Sequence, residues 1–275
     1  EVWRLLASMM SPDVVIREIK RQTDLLLKHE APLQRFLTWC YQHASLRTEY
    51  KGAAIRAFFY ELVLEYGPAS VSMIIGATLR LHRFRLSGVL DSNLASVLRG
   101  IGNSDESWIP HIYSIDDAPR AMDPNLDLDR SLAGCAALVR AVLNKHFEAS
   151  LIADALDAVL AALDRSCEGA ELVSPALAAE LSSHRDALSL ARGSKVESIL
   201  EASLASMIRH RDIGHDWGFS PKQISLLDSF YSANLLLIDC MKEARGLTNA
   251  TRQHIEDTLL LPWDLAYPSS PRDQK

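Results

Sequence analysis

Glycine and proline are scarce, at 12 and 11 among 275 residues. Turn-dense all-β folds and low-complexity disordered chains need more of both, so neither class fits. Cysteine is rarer still. Cys40, Cys135, Cys167 and Cys240 lie far apart inside helix-like patterns, which argues against a close-spaced disulfide framework and predicts reduced, buried thiols. Cations are not in excess: 29 Lys+Arg against 35 Asp+Glu leave a net charge of −6, so the whole chain lacks the footprint of a general nucleic-acid or anionic-membrane binder. No uninterrupted apolar run approaches the ~18 residues of a membrane span. The longest aliphatic stretches resemble Ala158 to Leu163, and a soluble chain is expected. The opening Glu1-Val2-Trp3-Arg4-Leu5-Leu6 reads as helix and not as a secretory leader, which predicts a fragment of a longer, cytoplasmic polypeptide.

Catalytic signatures are missing as well. There is no Gly-x-x-x-x-Gly-Lys-Ser/Thr run, no strand-linked Gly-x-Gly-x-x-Gly, no nucleophile elbow, no Cys-x-x-Cys and no His-Glu-x-x-His. No catalytic residue, metal or cofactor is therefore assigned.

What is present is helical punctuation. Ser11-Pro12-Asp13, Ser174-Pro175 and Ser220-Pro221-Lys222-Gln223 each place a capping hydroxyl before a proline at the first helical position, and Gln223 completes a capping box. Gly67-Pro68, Gly193 and Gly246 fall where helices should stop. Between these marks apolar residues recur at three and four: Ile55, Phe58, Phe59, Leu62 and Tyr66, or Leu132, Cys135, Ala136, Val139 and Leu143, each making one buried stripe. β-Branched residues do not cluster in alternating runs. The expected architecture is all-α, a stack of antiparallel helices compatible with an α-solenoid, interrupted by an irregular segment near 100–125 that is rich in Asp, Ser and Pro. This divides the chain into an N-terminal lobe (1–99), the irregular boundary (100–125), a C-terminal lobe (126–265) and a polar tail (266–275).

Three groups of residues invite a functional reading. His210, Arg211, Asp212, His215 and Asp216 are dense in titratable side chains, so a hydrolase site is one alternative. Two histidines five apart suit neither one helical face nor a zinc spacing, and Asp212 and Asp216 flank Gly214 at a helix end, where such residues bond the backbone. Arg80, His82, Arg83 and Arg85 form a basic segment. The alternatives there are a solvated helix face or an adaptor surface that tracks a phosphate backbone. Asn234 shares a stripe with Tyr231 in a helix apolar nearly all round, which should be central, with the carboxamide bonded to a neighbouring helix end or loop. Trp217 and Phe219 read as core anchors.

Several blocks carry a resemblance. Ile213-Gly214-His215-Asp216-Trp217-Gly218-Phe219-Ser220, Phe230 to Met241 and Ile255-Glu256-Asp257-Thr258-Leu259-Leu260-Leu261-Pro262 resemble the closing blocks of bacterial NACHT-domain proteins, ATPases of the STAND class. Glu1 to Ala7, Leu33 to Trp39 and Tyr50 to Phe59 resemble the helical segments that follow the ATPase in the same proteins. Gly52 departs from that pattern, and Met73 to Asn125 matches none of it. The resemblance implies a non-enzymatic sensor and regulatory region in innate immunity against phage. Its partners would be the ATPase domain of the same polypeptide, an invader-derived or stress-derived ligand, and further copies in a homo-oligomer formed on activation. No membrane is involved on this reading. Recognition is assigned to the unmatched region, through Arg80, His82, Arg83, Arg85, Trp108 and Tyr113, because loops on rigid scaffolds carry binding.

Overall fold

The computed structural model describes residues 11–66, 84–98, 123–144 and 152–268. Every regular element among them is a helix, so the chain is all-α as expected. In chain order these are α1 (Pro12–Leu25), α2 (Ala31–Ser45), α3 (Gly52–Tyr66), α4 (Arg85–Leu90), α5 (Ser92–Leu98), α6 (Pro124–Leu143), α7 (Ile152–Val173), α8 (Pro175–Leu190), α9 (Ser194–Arg211), α10 (Pro221–Glu243), α11 (Asn249–Thr258) and α12 (Trp263–Ala266). Two compact units emerge, and neither is continuous in sequence. The first gathers 1–64, 84–95 and 217–275, and the second gathers 65–83 and 96–216. The boundary expected at 100–125 lies mostly outside the described residues; contacts group the two ends of the chain.

In the first unit α3 is the central helix. Every residue from Ala53 to Leu62 is buried, because Ala, Ile, Phe, Tyr and Leu occupy all its faces rather than one stripe. An aromatic cluster packs against it. Phe36 lies 5.2 Å from Tyr60, 5.3 Å from Trp217 and 5.8 Å from Phe219 between ring centroids, and Trp39 meets Phe59 at 5.5 Å edge-on. The helix expected to be central, α10, is one-sided: Leu227, Phe230, Tyr231, Leu237 and Ile238 are buried, whereas Leu236 is 50% exposed. By length and composition α10 is also apolar enough to cross a membrane. Scattered polar residues conceal this from a count of uninterrupted apolar runs. In this fold its buried face is occupied by protein, with the Tyr60 hydroxyl donating to Leu227 O at 2.8 Å.

Two charges are buried within α3, and each is answered. Arg56 donates to the carbonyls of Leu259 (2.7 Å), Asp257 (2.8 Å) and Glu256 (3.3 Å), satisfying oxygens at and just beyond the negative end of α11. Burial pulls its pKa down to about 10, which still leaves it charged at neutral pH. The Glu61 carboxylate accepts from Leu86 N (2.6 Å), Ser87 N (3.2 Å), Ser87 Oγ (2.5 Å) and the Tyr231 hydroxyl (2.7 Å). It therefore caps the N-terminus of α4 from another helix. That helix follows Phe84, a non-glycine residue with φ +52°.

The second unit is a ring of α6, α7, α8 and α9, each packed on the next, with α9 returning to α6. A closed ring differs from an open solenoid, whose first and last helices never meet. Ser174 alone links α7 to α8, which forces those helices antiparallel. Small residues allow close approach: Ala155, Ala158, Ala162 and Ala170 line the buried face of α7. Gly214, at φ +96°, turns so close to α6 that a Cβ there would stand 3.1 Å from that of Ala136.

Candidate functional site

The proposed recognition residues Arg80, His82, Arg83, Trp108 and Tyr113 lie outside the described residues; Arg85, the first residue of α4, is exposed. Trp217 and Phe219 stack on one another at 5.9 Å within the aromatic cluster of the first unit. Tyr231 is buried with its hydroxyl on Glu61. Asn234 is fully buried, but its amide donates at 2.8 Å to Phe230 O of its own helix, not to a neighbouring helix end or loop. Its Oδ1 has no hydrogen-bond partner among the described residues.

The His210–Asp216 cluster does not converge: three of its members pair elsewhere, and His215 and Asp212 pair with each other. His210 Nε2 lies 3.1 Å from Glu180 on α8, Arg211 pairs with buried Asp129 on α6 at 2.7 Å, His215 Nε2 meets Asp212 Oδ1 at 2.5 Å, and Asp216 pairs with Arg140 at 3.2 Å. Asp212 closes α9 in the left-handed conformation at φ +58°. Among the described residues no three His, Cys, Asp or Glu side chains converge as metal ligands.

A serine, histidine and glutamate do converge where the sequence reading saw nothing. Ser206 Oγ donates to Glu180 at 2.7 Å and lies 3.1 Å from His184 Nε2, while Arg209 and His210 also reach Glu180. Hydrogen bonds from Ser206 and His210 hold the Glu180 carboxyl at about 2, and burial lowers the pKa of His184. Ser206 is 2% exposed, so its oxygen is sealed between α8 and α9 and serves as a polar staple, not as an accessible nucleophile.

A groove of about 770 Å³ lies in the first unit, walled by α1, α10, α11 and Tyr267. Its surface is mainly apolar. Val14, Leu26 and Leu236 on its walls are 53%, 40% and 50% exposed, an unusual allowance for large aliphatic side chains lining one hollow. Cys240, expected to be buried, is half-buried here, and Cys167 in the second unit is half-buried too.

One charged group is set into the groove lining. Lys20 is 2% exposed and forms an ion pair with Asp24 one turn on; the Tyr267 hydroxyl donates to the same Asp24 oxygen at 2.8 Å. Burial pulls the Lys20 pKa down and pushes that of Asp24 up, and their mutual attraction opposes both shifts. Asp24 Oδ1 has no hydrogen-bond partner among the described residues. Nothing in the sequence reading marked these residues. The available signal was a lysine and an aspartate at i and i+4 on the face that also carries Ile16, Thr23 and Leu27, where an amphipathic helix should be apolar. Tyr267 falls in the stretch read as a polar tail, and Trp263, 4.4 Å from its ring, is anchored by its N–H to Gln34 Oε1 at 2.7 Å.

No curated protein and no solved structure matches the chain. Residues 176–262 match the family model of NACHT C-terminal Helical domain 2, from the start of α8 through α9, α10 and α11 to Pro262. All three C-terminal blocks that carried the resemblance fall inside the match; the N-terminal ones lie outside it. The helices from α8 to α11 are thus similar to a C-terminal helical region of NACHT proteins.

Proposed function

We propose that this chain is the sensing and restraining region of a NACHT ATPase and performs no chemistry of its own. It holds the ATPase of the same polypeptide inactive in the cytoplasm. An invader-derived or stress-derived ligand releases it, and the parent protein then assembles into a homo-oligomer; in a bacterium the setting is defence against phage. The match over 176–262 carries this reading. It is supported by the way reactive side chains are used: Ser206 is sealed, His210 and Asp216 pair with Glu180 and Arg140, and Arg56 and Glu61 cap helices. A ligand shifts such a region only through different affinities for two arrangements, and packed helices supply discrete arrangements.

The test is ATP hydrolysis. The 275-residue chain alone should turn over no ATP above buffer. Deleting it from the parent polypeptide should raise basal hydrolysis by roughly 5–150-fold, the range of ordinary allosteric coupling. Unchanged basal turnover after deletion would refute the restraint, and hydrolysis by the isolated chain would refute its non-enzymatic role.

A further inference from the structure

The groove between α1, α10 and α11 has a charge pattern that specifies its occupant. Among the described residues the Lys20 ammonium meets a single acceptor, Asp24 Oδ2, and leans over the Tyr267 ring at 5.9 Å from the centroid. An ammonium has three donors, so N–H capacity remains unspent at a residue that lines the hollow. Unspent capacity on a buried cation is costly and is relieved by an incoming acceptor. The sign of that acceptor follows from the surrounding charges. Arg17, Lys20 and Arg21 line the groove against Glu18, and Asp24 lies behind the wall. The side chain of Glu18 is already taken by Arg21 at 2.7 Å and Gln22 at 2.8 Å. Buried Arg56 adds a further positive charge felt by Lys20. Lys20 and Arg21 are matched by Asp24 and Glu18, and Arg17, beside Asp13 and donating to Thr251, is the further cation in the wall of an otherwise apolar hollow.

We propose that this groove binds an aliphatic carboxylate, with the hydrocarbon chain along Val14, Leu26 and Leu236 and the carboxylate accepting from Lys20. A volume of about 770 Å³ is ordinary for a small-molecule site, and burying each methylene contributes ~0.8 kcal/mol. The inference rests on the reading that the chain receives a ligand and names the chemistry of that ligand.

Calorimetric titration of the 275-residue chain with decanoate, 1-decanol and decylamine tests it. Saturable binding of decanoate, at least about tenfold tighter than either analogue, is expected from one charge-assisted hydrogen bond. Lys20→Met should remove that preference while leaving decanol binding within about twofold, since the hydrocarbon contacts persist. Should Lys20→Met fail to fold because Asp24 loses its partner, Leu236→Asp decides. This half-exposed wall position tolerates a charge, and the new anion should weaken decanoate about tenfold or more without weakening decylamine. No saturable decanoate binding, equal affinity for decanol, or a Leu236→Asp variant that binds decanoate as well as the native chain would each overturn the assignment. Because ATPase restraint is read separately in the parent polypeptide, a failed titration leaves that reading standing, and a failed restraint leaves this one.

Discussion

Glu61 receives four hydrogen bonds, yet lies out of reach of water. Burial raises its pKa to about 7, against the pull of Ser87, Tyr231 and the two amides. A carboxyl whose folded pKa exceeds its unfolded value near 4.5 binds more protons when folded. Its contribution is therefore fully present below about 4.5 and is lost as pH rises through about 7. The linked change amounts to about 3 kcal/mol. The proton has a place to go: the Ser87 hydroxyl can turn to Phe84 O, 3.0 Å away, and accept from the carboxyl. Urea unfolding between pH 5 and pH 8 should show the first unit losing stability across this window, and Glu61→Gln should flatten the slope. A slope unchanged in the variant would place the titration elsewhere. Glu61 could not be singled out in the sequence, because it lies in a run of apolar residues and its donors come from positions 86, 87 and 231. The same holds for Arg56, whose acceptors lie about two hundred residues onward.

Among the helices, local signals were legible where the chemistry is local. Ser220 and Gln223 form the expected capping box, Gln223 N donating to Ser220 Oγ at 3.3 Å and Ser220 N to Gln223 Oε1 at 3.0 Å. Ser11 and Ser174 mark helix starts correctly, yet neither hydroxyl caps. At Ser11 the N–H of Val14 is taken by the serine's own carbonyl at 3.0 Å. Ser174 is also the last link of α7, its N–H bonded to Ala170 O at 2.7 Å, and the one-residue turn holds it at φ −149°, ψ 78°. Ser220→Ala should thus cost about 1 kcal/mol in chemical denaturation. Ser11→Ala and Ser174→Ala should stay within about 0.5 kcal/mol. Equal losses at all three would show that cap geometry does not decide. Burial was harder to read than helix starts, since an all-round apolar α3 and a one-sided α10 have similar compositions; only tertiary neighbours distinguish them.

For the whole molecule, the division into units dictates which pieces can stand alone. Residues 65–216 contain the entire second unit, whereas the first needs both ends of the chain. A fragment 65–216 should melt cooperatively with the helical signal of α6 to α9. A fragment 1–216 should leave the α2 and α3 amides open to hydrogen exchange, because Phe36, Trp39 and Tyr60 lose Trp217, Phe219, Phe230 and Tyr231. Protected α2 and α3 amides in 1–216 would contradict this division. No sequence pattern announces such a return, because periodicity reports which face of a helix is apolar and not what covers it.

The split first unit also sets an order of events during synthesis. Its opening helices leave the ribosome about 150 residues before α10 exists, a delay of roughly 8–30 s at ordinary elongation rates. Through that interval Phe36, Trp39 and Tyr60 lack part of their final cover. The nascent chain is thereby a natural client for a holding chaperone until residues 217–275 arrive to complete the first unit.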